Sequence, residues 1–87
     1  MKKEKMLIIA NELNRCLAHS DVYAFIQFER NDNGVFSIYF THCDERYLYN
    51  NKTLFIYDWQ SDEKIESLVT KIKKVILREE LLDGETI

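Results

Sequence analysis

The chain has 87 residues, 46% of them hydrophobic, and a formal net charge of −3. This length fits one small domain spanning residues 1–87. The hydrophobic content excludes a disordered chain. No apolar run approaches the roughly 20 residues of a membrane helix, which excludes a membrane-spanning chain. With only two cysteines and no secretory signal pattern, we expect reduced thiols and a cytoplasmic location.

The first predicted element is a helix from Lys3 to about His19, ended by Ser20-Asp21. Its apolar residues recur at steps of three and four, which places them on one side of a helix. These residues are Met6, Ile9, Ala10, Leu13, Cys16 and Leu17.

Two strands, Val22–Arg30 and Val35–His42, are predicted next, joined by a turn that contains Gly34. A two-residue turn would put the apolar side chains of the two strands on opposite faces of the sheet. A three-residue turn, with Gly34 as the left-handed bulge residue, pairs Phe28 with Ile38 and puts them on one face. We therefore predict the three-residue turn.

The segment that follows leaves two interpretations open, because Arg46–Tyr49 fits either a short strand or a loop. Thr53–Trp59 is predicted as a strand. Ser61-Asp62-Glu63 has the capping hydroxyl and the acidic residues that begin a helix. That helix is predicted to end at residues 82–84, with Gly84 in the left-handed position after its last turn.

These elements predict an α+β fold, in which an antiparallel sheet of three to four strands is flanked by an N-terminal and a C-terminal helix (α-β-β-(β)-β-α) as a two-layer sandwich. Both helices on one side would leave the second sheet face open, whereas one helix on each side would cover both. An open face would expose aromatic residues, a common mark of an interface. The candidates on the first two strands are Tyr23, Phe25 and Tyr39. Depending on its register, the last strand adds either the aromatic residues Phe55, Tyr57 and Trp59 or the aliphatic residues Leu54 and Ile56.

Acidic residues are concentrated in the middle of the chain, where residues 20–63 hold eight acidic and three basic side chains. This balance opposes direct nucleic-acid binding, which needs clustered Lys and Arg. It suits docking onto a basic groove of a partner protein, including one that normally holds nucleic acid. The alternative is a solvated acidic surface that keeps the protein soluble.

The metal-ligand and catalytic signals in the sequence are weak. His42 and Cys43 are adjacent on a strand and would point to opposite faces, so they do not join Cys16 and His19 around one ion. No glycine-rich phosphate loop, nucleophile elbow or zinc-protease motif is present. We therefore expect no metal, no cofactor and no enzymatic activity.

The α-β-β-β-α order is similar to that of the double-stranded RNA-binding domain, whose last helix contacts RNA through a lysine-rich start. The matching segment here, Ser61-Asp62-Glu63-Lys64-Ile65-Glu66, is acidic, so RNA binding is not carried over. In its small size, its acidity and its small number of helices and strands, the chain resembles small phage-encoded inhibitors of host defence, such as anti-CRISPR proteins. That resemblance implies a protein target in the host-cell cytoplasm.

The leading hypothesis is a non-enzymatic, protein-binding inhibitor or regulator that masks a partner's basic surface. An alternative is a structural protein that forms a homodimer through the aromatic sheet face. Another is a domain that binds single-stranded nucleic acid by aromatic stacking. The predicted contact residues are Glu29, Asp32, Asp44, Glu45, Asp58, Asp62 and Glu63, together with Tyr23, Tyr39, Tyr57 and Trp59.

Overall fold

The computed structural model describes residues 2–84 and confirms the predicted α+β class. Its elements are α1 (Lys2–Ala18), β1 (Ala24–Arg30), β2 (Phe36–Cys43), β3 (Asn51–Tyr57) and α2 (Asp62–Ile76). The strands form one antiparallel sheet with β2 in the centre. Within the described residues, neither helix has the length and apolar character of a bilayer-spanning segment.

The β1–β2 hairpin has the predicted three-residue turn. Phe28 pairs with Ile38, and the Asn31 N–H donates to the Val35 carbonyl at 3.0 Å. Gly34 has a φ of 80°, the left-handed conformation that a residue without Cβ adopts at least cost. The side chain of Asn31 accepts hydrogen bonds from two N–H groups of the turn, which fixes its shape.

The register of β3 decides which of its side chains reach the core. Ile56 pairs with Ile38, and Phe55 pairs with Tyr39. Ile56 therefore lies on the face of Ile38 and is fully buried, whereas Phe55 is 43% exposed on the other side. Of the two arrangements left open by the sequence, the structure has the one that places Phe55, Tyr57 and Trp59 on the face away from Ile38.

Both helices pack against the same face of the sheet, the face of the even-numbered strand residues. α1 contacts β1 and β2, and α2 contacts β3. Burial of this shared apolar interface is the main favourable contribution to folding. The core residues are Met6, Ile9, Ala10, Leu13, Ile38, Phe40, Tyr47, Ile56, Ile65, Ile72, Val75, Ile76, Leu81 and Leu82.

The predicted end of α2 at residues 82–84 is wrong, because the helix ends at Ile76. Arg78 takes the left-handed position after the last turn, with a φ of 65°, and its N–H donates to the Val75 carbonyl. Gly84 is also left-handed, with a φ of 89°, but it lies in a turn beyond the helix. The chain then turns back, so that Leu81 and Leu82 enter the core from outside the helix. In the sequence, these two leucines look like the apolar residues of one more turn of α2, which is why the predicted helix was too long.

Residues 44–50 form a loop, so Arg46–Tyr49 does not add a fourth strand. Backbone hydrogen bonds hold the loop closed, including one from the Asp44 N–H to the Asn50 carbonyl at 3.0 Å. The loop directs Tyr47 into the core, where its side chain is 4% exposed.

Candidate interaction surface

The sheet face opposite the helices is uncovered in the described part of the chain, and we call it the open face. Four of its aromatic side chains are at least two-fifths exposed: Tyr23 at 71%, Phe25 at 51%, Phe55 at 43% and Trp59 at 62%. Tyr23 continues the face before β1, and Trp59 continues it after β3. The strand residues of the open face are Phe25, Gln27, Glu29, Ser37, Tyr39, Thr41, Cys43, Asn51, Thr53, Phe55 and Tyr57.

Aromatic rings form a continuous ladder across this face. Along β3, the rings of Phe55 and Tyr57 lie 6.1 Å apart and 6° from parallel, and those of Tyr57 and Trp59 lie 5.5 Å apart and 11° from parallel. The ring of Tyr39 on β2 meets Phe55 edge to face at 4.9 Å. Such contacts hold the rings in fixed orientations and leave their outer edges to solvent.

Polar groups on the open face bond mainly to one another. The Tyr39 hydroxyl donates to Glu29 Oε1 at 3.2 Å, and the Gln27 amide donates to Glu29 Oε2 at 3.3 Å. The hydroxyl groups of Thr41 and Thr53 are 2.8 Å apart. Glu29 is the one charged residue among the strand positions of this face, which include no Lys or Arg.

The seven acidic residues singled out from the sequence do not form one patch. Asp32 lies in the turn between β1 and β2, near the end of the sheet where Asp58 follows β3. Asp62 and Glu63 open α2 next to that end. Asp44 and Glu45 follow β2 at the opposite end, and Glu29 alone stands within the open face.

Three of these acids already bind a cation or a backbone N–H within the fold. Asp58 Oδ2 accepts the Phe36 N–H at 3.0 Å, and Asp62 pairs with Lys5. Asp44 binds the guanidinium of Arg46 through both carboxylate oxygens, and these hydrogen bonds hold the pKa of Asp44 well below its usual range. These three carboxylates are therefore less available to a partner than Glu29, Asp32, Glu45 and Glu63.

A buried polar network lies on the helix side of the sheet. Tyr47 Oη accepts the Leu82 N–H at 2.8 Å and lies 2.7 Å from Nδ1 of His42, which is 4% exposed. The direction of this second hydrogen bond follows from the tautomer: neutral His42 protonated on Nε2 accepts the hydroxyl proton, and neutral His42 protonated on Nδ1 donates to the hydroxyl oxygen. Sequence reasoning missed this role of Tyr47, because a tyrosine in a loop looks like any surface aromatic residue.

The burial of His42 predicts a pH-dependent stability. Burial lowers the pKa of this imidazole from its ordinary value of 6.5. The unfolded chain therefore takes up the proton first as the pH falls. The contribution of neutral His42 to stability is fully present above pH 6.5 and is lost as the pH falls toward the folded-state pKa.

We expect the free energy of unfolding to fall between pH 7 and pH 5, with a slope of at most about 1.4 kcal/mol per pH unit for one proton. Urea denaturation at stepped pH measures this slope. His42→Gln should flatten it, and His19→Gln, at an exposed site, should leave it unchanged. The carboxylate of Asp44 has a lowered pKa, so it contributes only to losses below about pH 4. A slope that survives in His42→Gln would contradict this origin.

His42 and Cys43 point to opposite faces, so the two do not form a catalytic pair. Among residues 2–84, no group of three or more His, Cys, Asp or Glu side chains is arranged to hold a metal ion.

An open groove also runs between the ends of the two helices, but two of its cations, Lys73 and Arg78, already pair with Glu12 and Asp21. The open face is the stronger candidate site.

Comparison with protein-family models, with curated proteins and with solved structures finds no match to this chain. The candidate site is therefore defined by its geometry alone. It is the aromatic and nearly uncharged open face of a small two-layer α+β domain.

Proposed function

We propose that this chain is a non-enzymatic protein-binding module that docks onto a partner through its open face. The observation that carries this proposal is the ladder of Phe55, Tyr57 and Trp59, of which Phe55 and Trp59 are exposed, on a face that neither helix covers. Exposed apolar patches of this kind mark interaction sites, and Tyr and Trp dominate the binding energy of many interfaces. By occupying a partner's surface, the module would act in the cytoplasm as an inhibitor or regulator.

Charge favours a partner with a basic surface. Glu29 lies within the open face, and Asp32, Glu45 and Glu63 are exposed outside it. None of these four belongs to an ion pair formed within residues 2–84. A partner that presents Lys or Arg around an apolar centre would complement both the ladder and these carboxylates. This is the chemistry expected of an anti-defence inhibitor that covers a nucleic-acid-binding groove, the role suggested by the resemblance to phage-encoded inhibitors.

Self-association and nucleic-acid binding are supported less well. A second copy stacked face to face would bring another Glu29 and no Lys or Arg from its strand positions, so two carboxylates would lose water without gaining cations. Single-stranded nucleic acid could stack on the ladder, but Glu29 would repel its phosphates and the strand positions of the face supply no basic residue to neutralise them.

Capture from an extract of the organism that encodes the chain tests the proposal. We expect immobilised wild-type protein to retain a partner that the Phe55→Ser/Trp59→Ser variant loses by about tenfold or more, since removing two central aromatic contacts typically costs over 1.4 kcal/mol. The matched control is Ile8→Ser/Leu77→Ser, which removes one side chain on α1 that is 64% exposed and one directly after α2 that is 67% exposed. Equal retention by both variants, or equal loss, would contradict a role for the open face.

A further inference from the structure

Glu29 is held in place on the open face by neighbouring side chains. Its half-buried carboxylate accepts one hydrogen bond on each oxygen, from the Tyr39 hydroxyl to Oε1 and from the Gln27 amide to Oε2. In the sheet it stands in one row with Ser37 and Tyr57. Ser37 is 3% exposed even though it lies on this face, so the surface beside the carboxylate is closely packed.

Docking of any protein on this face would remove water from that carboxylate. A carboxylate that loses water without gaining a cation is strongly destabilising, so the partner must bring a positive charge to this point. No Lys or Arg among residues 2–84 forms an ion pair with Glu29, and the strand positions of the open face supply none.

The hydrogen bonds on Glu29 also select the kind of cation. Each carboxylate oxygen has about two acceptor positions, and Tyr39 and Gln27 take one position on each oxygen. One acceptor position therefore remains on each oxygen. A guanidinium group offers two parallel N–H donors that can bind both oxygens of one carboxylate, whereas an ammonium group is a point charge without that matched pair of donors.

We propose that the open face binds a partner protein that presents an arginine, whose guanidinium pairs with both oxygens of Glu29. The aromatic side chains of Tyr39 and Tyr57 border this position, and their apolar surface strengthens the ion pair once water is excluded. This inference rests on the proposed function, because it names the chemistry of the partner at the same face. A second copy stacked face to face brings no arginine from the strand positions of its own open face, and a nucleic acid has no guanidinium group.

The test uses three capped peptides that differ at one residue: acetyl-Gly-Gly-Arg-Gly-Gly-amide and its lysine and citrulline versions. Citrulline has the shape of arginine without the charge. Binding is followed by NMR shifts of the backbone amides of the full chain. We expect the arginine peptide to bind with a Kd on the order of millimolar, with its largest shifts around residues 27–29 and 37–39, and the other two peptides to bind about fivefold or more weakly.

Glu29→Gln is the decisive variant, because the amide has the same shape and keeps one acceptor oxygen for the Tyr39 hydroxyl, but it removes the charge and the second acceptor oxygen. Glu63→Gln is its matched control, since it changes the net charge equally at an exposed site on α2. We expect Glu29→Gln to remove the preference for arginine and Glu63→Gln to retain it. Equal binding of the three peptides by the wild type, or equal effects of the two variants, would overturn the arginine site.

The same variants separate this inference from the proposed function. If Phe55→Ser/Trp59→Ser loses the captured partner and Glu29→Gln retains it fully, the arginine inference fails and the docking face stands. If the double variant retains the partner, the docking face itself fails. Loss of the partner in both Glu29→Gln and the double variant, with retention in Glu63→Gln, supports both proposals.

Discussion

Phe40→Ala is expected to lower the free energy of unfolding by about 3–5 kcal/mol, measured by urea denaturation. Phe40 is fully buried on the central strand, between Ile26 on β1 and Leu54 on β3 and beneath the helices. Alanine leaves a cavity that the surrounding side chains fill only in part. A domain of 87 residues has a total stability of only about 4–9 kcal/mol, so this variant should be close to unfolding at room temperature.

Phe55→Ala makes the same chemical change on the other side of the sheet and serves as the control. Phe55 is 43% exposed and keeps contact with water in the folded state, so we expect a loss of about 1 kcal/mol or less. The difference between the two variants measures how unequally the sheet faces are buried. Equal losses would contradict a two-layer fold and would mean that the open face is covered in solution.

Tyr47→Phe is expected to lower the free energy of unfolding by about 1–3 kcal/mol, although it removes a single oxygen atom. The hydroxyl is the partner of two buried groups, the Leu82 N–H and Nδ1 of His42. Phenylalanine would leave both without that partner while keeping the ring in place. The same urea measurement gives the value, and amide hydrogen exchange at Leu82 should become faster because its hydrogen bond is lost.

The matched control is Tyr49→Phe, in the same loop. Tyr49 is 78% exposed, and its substitution should change stability by no more than about 0.5 kcal/mol. A loss for Tyr47→Phe as small as that for Tyr49→Phe would show that the buried network contributes little. It would also remove the link between the loop of residues 44–50 and the C-terminal segment.

Side-chain alternation was sufficient to predict the β1–β2 hairpin. The parity of Phe28 and Ile38 predicts the three-residue turn, because a shift of one residue would put their apolar side chains on opposite faces. Alternation did not select the register of β3, since Thr53–Trp59 carries apolar residues on both faces. The loop that connects β2 to β3 decides the register of β3. The length of this loop does not by itself set the shape of the loop, so the register did not follow from the sequence.

The end of α2 and the role of Tyr47 could not be predicted from the sequence, because both depend on contacts made outside the local segment. Arg78 has an unfavourable left-handed conformation, which Schellman-type hydrogen bonds and the burial of Leu81 and Leu82 offset. No local preference of arginine predicts this. Tyr47 gains its role from contacts with the buried ring of His42 and with Leu82, 35 residues away in the chain.

The predicted contact residues illustrate the same limit. Charge counting identified the acidic middle of the chain, but it did not reveal that Asp44 and Asp58 are hydrogen-bonded within the fold. Alternation placed Glu29 among the aromatic residues. The structure then added the two hydrogen bonds that orient its carboxylate, from Gln27 and Tyr39.

Photo-cross-linking from the open face most directly tests whether that face meets a different protein. A benzophenone amino acid replaces Phe55 in one sample and Ile8, on the exposed side of α1, in another, and both are irradiated in an extract of the encoding organism. The proposed function requires a covalent adduct with another protein from position 55 and none from position 8. Adducts from both positions alike, or adducts only between copies of this chain, would contradict it.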